Sequence, residues 1–165
     1  MKTRYVILLA FVNFIFSSTL FQLFRINGTL FNTCIIISVV LAALSTEENA
    51  IVFALISGAL QDVFLGRILG VNFILYALVV YITIRLVDVM FKGNFITPLF
   101  LVVLSTFIYH IGFYIMMFFL QSTIPLTLLY SKIITEVLIN SIIGFIIYAY
   151  TFKKVHGYKL GDFNA

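Results

Sequence analysis

Tyr5-Val6-Ile7-Leu8-Leu9-Ala10-Phe11-Val12-Asn13-Phe14-Ile15-Phe16-Ser17-Ser18-Thr19-Leu20-Phe21-Gln22-Leu23-Phe24 lies between Arg4 and Arg25 without one charged side chain. A bilayer core takes about 20 helical residues to cross, and this stretch has that length. Lys2 and Arg4 before an apolar run resemble the start of a signal peptide. Ser17-Ser18-Thr19 followed by Leu20-Phe21 is a poor cleavage site, however, so the stretch reads as a retained first helix.

The whole chain has the same character. Of its 165 residues, 63% are hydrophobic and 10% charged, and the mean hydropathy is +1.19. Soluble domains run near half apolar and a quarter charged. That excess of apolar surface needs lipid as its solvent, which excludes a cytosolic enzyme, a disordered tail and a disulfide scaffold. Cys34 is the one cysteine, so it has no disulfide partner in the chain and no metal-ligand spacing. The ten Lys and Arg are scattered; in a membrane chain they report orientation rather than nucleic-acid binding.

Charge-free windows and breakers divide the chain into an all-α, polytopic membrane protein with six transmembrane helices. The expected spans are about 5–24, 29–44, 46–64, 71–87, 96–120 and 126–150, followed by a basic tail at 151–165, all in one membrane domain. Ser45-Thr46-Glu47-Glu48 predicts a capping box at the third span, with Ser45 as N-cap and Glu48 three residues on. Two carboxylates in that first turn also suit the helix dipole. Pro125 separates spans five and six. With both termini cytoplasmic, the inner segments carry Lys2, Arg4, Arg85, Lys92, Lys153, Lys154 and Lys159, and the outer ones Arg25, Arg67 and Lys132. The positive-inside rule favours that orientation. The acidic loop at 45–49 lies on the inner side, and acids count little in the rule.

The densest local signal is Gly58-Ala59-Leu60-Gln61-Asp62-Val63-Phe64-Leu65-Gly66-Arg67-Ile68-Leu69-Gly70. Gly58, Asp62, Gly66 and Gly70 recur every fourth residue. On one continuous helix they would form a small-residue packing stripe; alternatively Gly66 and Gly70 serve the turn into span four. Asp62 stands at the wrong end of its helix dipole. Either it braces the turn, through free backbone N–H groups of span four or through Arg67, or it contacts a ligand or partner.

The block G-x-L-x-D-x-x-x-G-x-x-x-G, followed by Tyr76 and Tyr81, resembles the signature of the rod shape-determining MreD family. The short chain, charged N-terminus, six expected helices and basic C-terminus agree with that likeness. The resemblance implies a non-enzymatic scaffold of the bacterial inner membrane, without cofactor, in the cell-wall elongation machinery. It implies binding to a bitopic MreC-like protein and, through it, to MreB filaments, RodA and a class B penicillin-binding protein. MreD-like proteins resemble in turn the six-helix substrate-binding subunits of energy-coupling-factor transporters. A vitamin-type small-molecule subunit is therefore the alternative.

No catalytic or metal constellation appears in the sequence: His110 and His156 are the only histidines, and no HExxH, CxxC or nucleophile elbow is present. The basic tail around His156 reads as an anchor on anionic lipid or a docking point for cytoplasmic filaments. Too few intramembrane polar residues stand out to predict a ligand pocket. Glu136 is deep in an apolar helix, with Lys132 and Asn140 one turn away on its face. Counting ten residues back from the loop along each helix brings His110 and Glu136 to one depth, about 15 Å below it. They are expected to form a hydrogen-bonded pair fixing spans five and six. The alternative is a protonated or Lys132-held Glu136, with His110 on a carbonyl.

Overall fold

An α-helix rises about 1.5 Å per residue, so length decides which helices can cross a hydrocarbon core of about 30 Å. The computed structural model describes residues 2–26, 28–66, 68–89, 96–120 and 126–156, with the backbone alone at 126–129, 131, 155 and 156. Among them are six α-helices: α1 (Thr3–Ser18), α2 (Thr33–Leu44), α3 (Glu47–Phe64), α4 (Val71–Val89), α5 (Ile96–Phe119) and α6 (Leu126–His156). A 3-10 segment at Leu20–Phe24 follows α1. Three helices are long and apolar enough to cross a membrane: α4, α5, and Lys132–Lys154 of α6. The fold is all-α and of multi-pass membrane type.

The membrane solvent shows in the polarity of α6. Ile134, Leu138, Ile142 and Ile146 are exposed at one-turn spacing, while Glu136 and Asn140 are buried on the other face. A soluble helix would reverse that arrangement. α5 follows the same rule, with Ser105, Thr106 and His110 inside and Phe107, Ile111, Ile115 and Phe118 outside. Polar side chains that would cost several kcal/mol against lipid thus face protein.

α2 is the central element. Nine of its twelve residues are buried, and it touches α1, α3, α4, α5 and α6. At about 18 Å it is much shorter than the core thickness, and it begins later than the expected span at 29–44. α1 likewise stops at Ser18 instead of running to residue 24. The Ser18 hydroxyl donates back to the Phe14 carbonyl at 2.8 Å and the Thr19 hydroxyl to that of Ile15. Thr19 itself leaves helical geometry (φ −117, ψ −82). Hydroxyl side chains compete for carbonyls in this way and favour helix ends.

Two further boundaries differ from expectation. The capping box is not formed: Thr46 is the N-cap of α3 and makes no side-chain cap bond. Ser45 instead accepts a hydrogen bond from the Asn49 side chain at 2.9 Å. Glu47 and Glu48 do occupy the first turn, where the dipole favours them. At the other end, α6 continues through Lys153 and Lys154 to His156, so the first residues of the expected tail are helical. Arg67, Lys92, the loop at 121–125 and Lys159 lie outside the described residues.

Candidate functional site

The glycine–aspartate block makes a joint, not a stripe. α3 ends at Phe64, so only Gly58 and Asp62 share a helix face, while Gly66 and Gly70 belong to the turn. Asp62 is buried and accepts four hydrogen bonds. Its Oδ2 takes the backbone N–H of Gly70 at 3.0 Å and of Phe73 at 2.8 Å. Its Oδ1 takes the backbone N–H and the side-chain amide of Asn72, both at 2.9 Å. The carboxylate thereby caps α4 from another helix, meeting orphan donors at the positive end of its dipole. Those bonds offset its poor position at the C-terminal end of α3.

Glycine is required on both sides of this joint. A Cβ on Gly58 would lie 2.7 Å from the Phe73 Cα, so the backbones of α3 and α4 touch there. Gly70 has φ +94, in the left-handed region that L side chains avoid.

From Asn72 a polar network runs into the bundle. Tyr109 donates to Asn72 Oδ1 at 2.7 Å and stacks on Tyr76, ring centroids 5.2 Å apart. The Tyr76 hydroxyl is 2.9 Å from Gln61 Oε1 and 3.2 Å from Asn32 Oδ1. The Asn32 N–H donates to Asn140 Oδ1 at 2.8 Å, and the Asn140 amide donates to Thr106 Oγ1 at 3.1 Å. Residues from the segment before α2 and from α3, α4, α5 and α6 are joined in one interior.

His110 and Glu136 meet in the same region. His110 Nε2 and Glu136 Oε2 are 2.9 Å apart, and both residues are buried. Of the two residues one turn from Glu136, Asn140 is wholly buried and serves the network, whereas Lys132 is exposed.

These groups surround a cavity of about 360 Å³. Its wall includes Asn32, Gln61, Tyr76, Tyr109, His110, Lys132 and Glu136, closed by the segment at 28–33 and by Phe113. The cavity lies at the end of the bundle where α3 turns into α4. Its volume is within the range of small-molecule sites, which pair an apolar lining with a few convergent polar groups. The sequence offers too few intramembrane polar residues to favour such a pocket, and the structure places a cavity here. Its polar lining pairs His110, Lys132 and Glu136 with neutral Asn32 and Gln61 and with Tyr76 and Tyr109, while Asn72 and Asn140 are hydrogen-bonded to that lining. The spacing of Gln61 beside Asp62, and of Tyr76 one turn beyond Asn72, was the available signal. Among the described residues no group of three or more His, Cys, Asp or Glu gathers as a metal site.

The chain matches no protein-family model, no curated protein and no solved structure.

Proposed function

We propose that the chain is a non-enzymatic inner-membrane scaffold of the MreD type, acting in cell-wall elongation by binding a bitopic MreC-like partner. In this reading all six helices lie in the bilayer, α1 and α2 being completed by the segments between them, and both termini are cytoplasmic. MreB filaments, RodA and a class B penicillin-binding protein are reached through the partner.

The observation that supports it is the joint between α3 and α4. The residues that carry the likeness to MreD, Gly58, Asp62 and Gly70, each have a specific task there: close backbone approach, a four-bond cap and a positive φ. Contact with the partner is expected to be helix on helix within the membrane, because the described connections between helices are too short to build a standard interface.

Depletion in a rod-shaped host tests the reading: cells are expected to round up, and the full-length partner to copurify. Rods that persist through depletion overturn it. Copurification of a partner stripped of its membrane helix overturns the helix-on-helix contact.

The cavity favours a second reading, a substrate-binding subunit of a small-molecule transporter. That reading expects unchanged cell shape on depletion together with loss of solute uptake.

A further inference from the structure

Among the described residues, Glu136 supplies the one carboxylate of the cavity wall. Glu136 Oε2 faces His110, while Oε1 is buried and has no hydrogen-bond partner. The other interior polar groups near it are engaged: Tyr109 with Asn72, Tyr76 with Gln61 and Asn32, and Asn140 with Thr106. A carboxylate oxygen removed from water demands a donor. Lys132 belongs to the same wall one turn earlier on α6 and is exposed, which sets a positive charge nearer the mouth than the acid. Aromatic rings line the same cavity, with Tyr109 stacked on Tyr76 at 5.2 Å and on Phe113 at 6.1 Å.

We propose that this cavity binds a small, flat zwitterion, whose amine donates to the Glu136 carboxylate, whose ring lies on Tyr109 and Phe113, and whose anionic end meets Lys132. A ligand with both charges matches the acid and the base together, and a simple cation or anion would meet one like charge. The aromatic face suits a planar body and tolerates the amine beside it. The inference concerns the cavity alone and does not rest on the scaffold reading: a shape-determining protein with a ligand-sensing cavity and a transporter subunit both accommodate it.

The native chain has no tryptophan, and Leu30 lines the cavity, so a Leu30→Trp variant places a single reporter on its wall. The full chain in lipid nanodiscs is titrated with 4-(aminomethyl)benzoate, benzylamine and benzoate. Saturable change in tryptophan emission is expected, with the zwitterion about tenfold tighter than either half, the scale of one charge-assisted hydrogen bond. Adding Lys132→Gln, a change at an exposed position, should reduce the zwitterion to the affinity of benzylamine. Adding Glu136→Gln should reduce it to that of benzoate. Equal affinity for all three probes overturns the proposal, as does indifference to Lys132→Gln, a readout that survives even if the Glu136 variant fails to fold. Absence of saturable binding also overturns it. A reporter that responds to the copurified partner and to no probe overturns it in favour of a helix-filled groove. Cell shape on depletion is read separately, so failure here leaves the scaffold reading standing.

Discussion

Asp62 carries four hydrogen bonds on two oxygens, and replacing it divides them unequally. Asp62→Ala leaves the N–H groups of Gly70, Asn72 and Phe73 without acceptors. It is expected to cost about 2 kcal/mol, the upper range for a lost cap, and to lower abundance. Asp62→Asn keeps one acceptor oxygen but turns a donor toward the other N–H groups, so its thermal midpoint should fall between the two. Equal midpoints for Asn and Ala would show that the carboxylate is not bracing the turn. The pair of His110 and Glu136 gives a second prediction. A double-mutant cycle with alanine at each position should show coupling of about 1 kcal/mol in thermal unfolding, within the range for buried hydrogen-bonded neighbours. Additive effects would mean that the 2.9 Å contact does not hold α5 to α6. The depth match of these residues could be read from the sequence because one short connection fixes two antiparallel helices. The bonding of Asn32 to Asn140, 108 positions apart, could not, since no local rule links such distant neutral amides.

α3 and α4 meet backbone to backbone at Gly58, where an added Cβ would lie 2.7 Å from the Phe73 Cα and 2.9 Å from the Asn72 carbonyl oxygen. Neither atom belongs to a flexible side chain, so Gly58→Ala must part the helices. A loss of about 1–3 kcal/mol is expected, as for overpacking elsewhere, together with a weakened Asp62 cap, because Asn72 and Phe73 also carry three of its four donors. Hydrogen exchange at the start of α4 checks this: protection should fall at 72 and 73 and be retained in α5 and α6. At this scale the sequence was most legible where charges and glycines punctuate it. The bounds of α3 and α4 and the start of α5 follow from acids, glycines and apolar run length. It was least legible where hydroxyls and amides act. The stop at Ser18 and the short α2 depend on Ser18 and Thr19 bonding carbonyls of the preceding turn and on distant partners for the 26–33 segment, and a hydropathy window weighs neither.

The whole bundle is organised around α2, which five other helices enclose. Its entry is non-helical backbone: Ile26 and Thr29 exchange two bonds at 2.9 Å, and the Asn32 N–H is taken by Asn140 at 2.8 Å. Non-helical backbone packed into a bundle needs protein partners for its polar groups. Ribosomes deliver residues in order, so the beginning of α2 emerges long before the amide that completes it. The early helices must wait, unfinished, for the last one to be synthesised. A chain truncated at residue 125 is therefore expected to be recognised as incomplete and degraded within the membrane, although five of its helices are intact. Supplying residues 126–165 as a separate polypeptide should restore its half-life in a pulse-chase measurement, and an Asn140→Ala version of that fragment should restore it less. Equal lifetimes for the truncated and full chains would show that the first five helices close without it. Birth order and bonding order run opposite ways in this protein, and quality control of its synthesis is thereby tied to the arrival of its final helix.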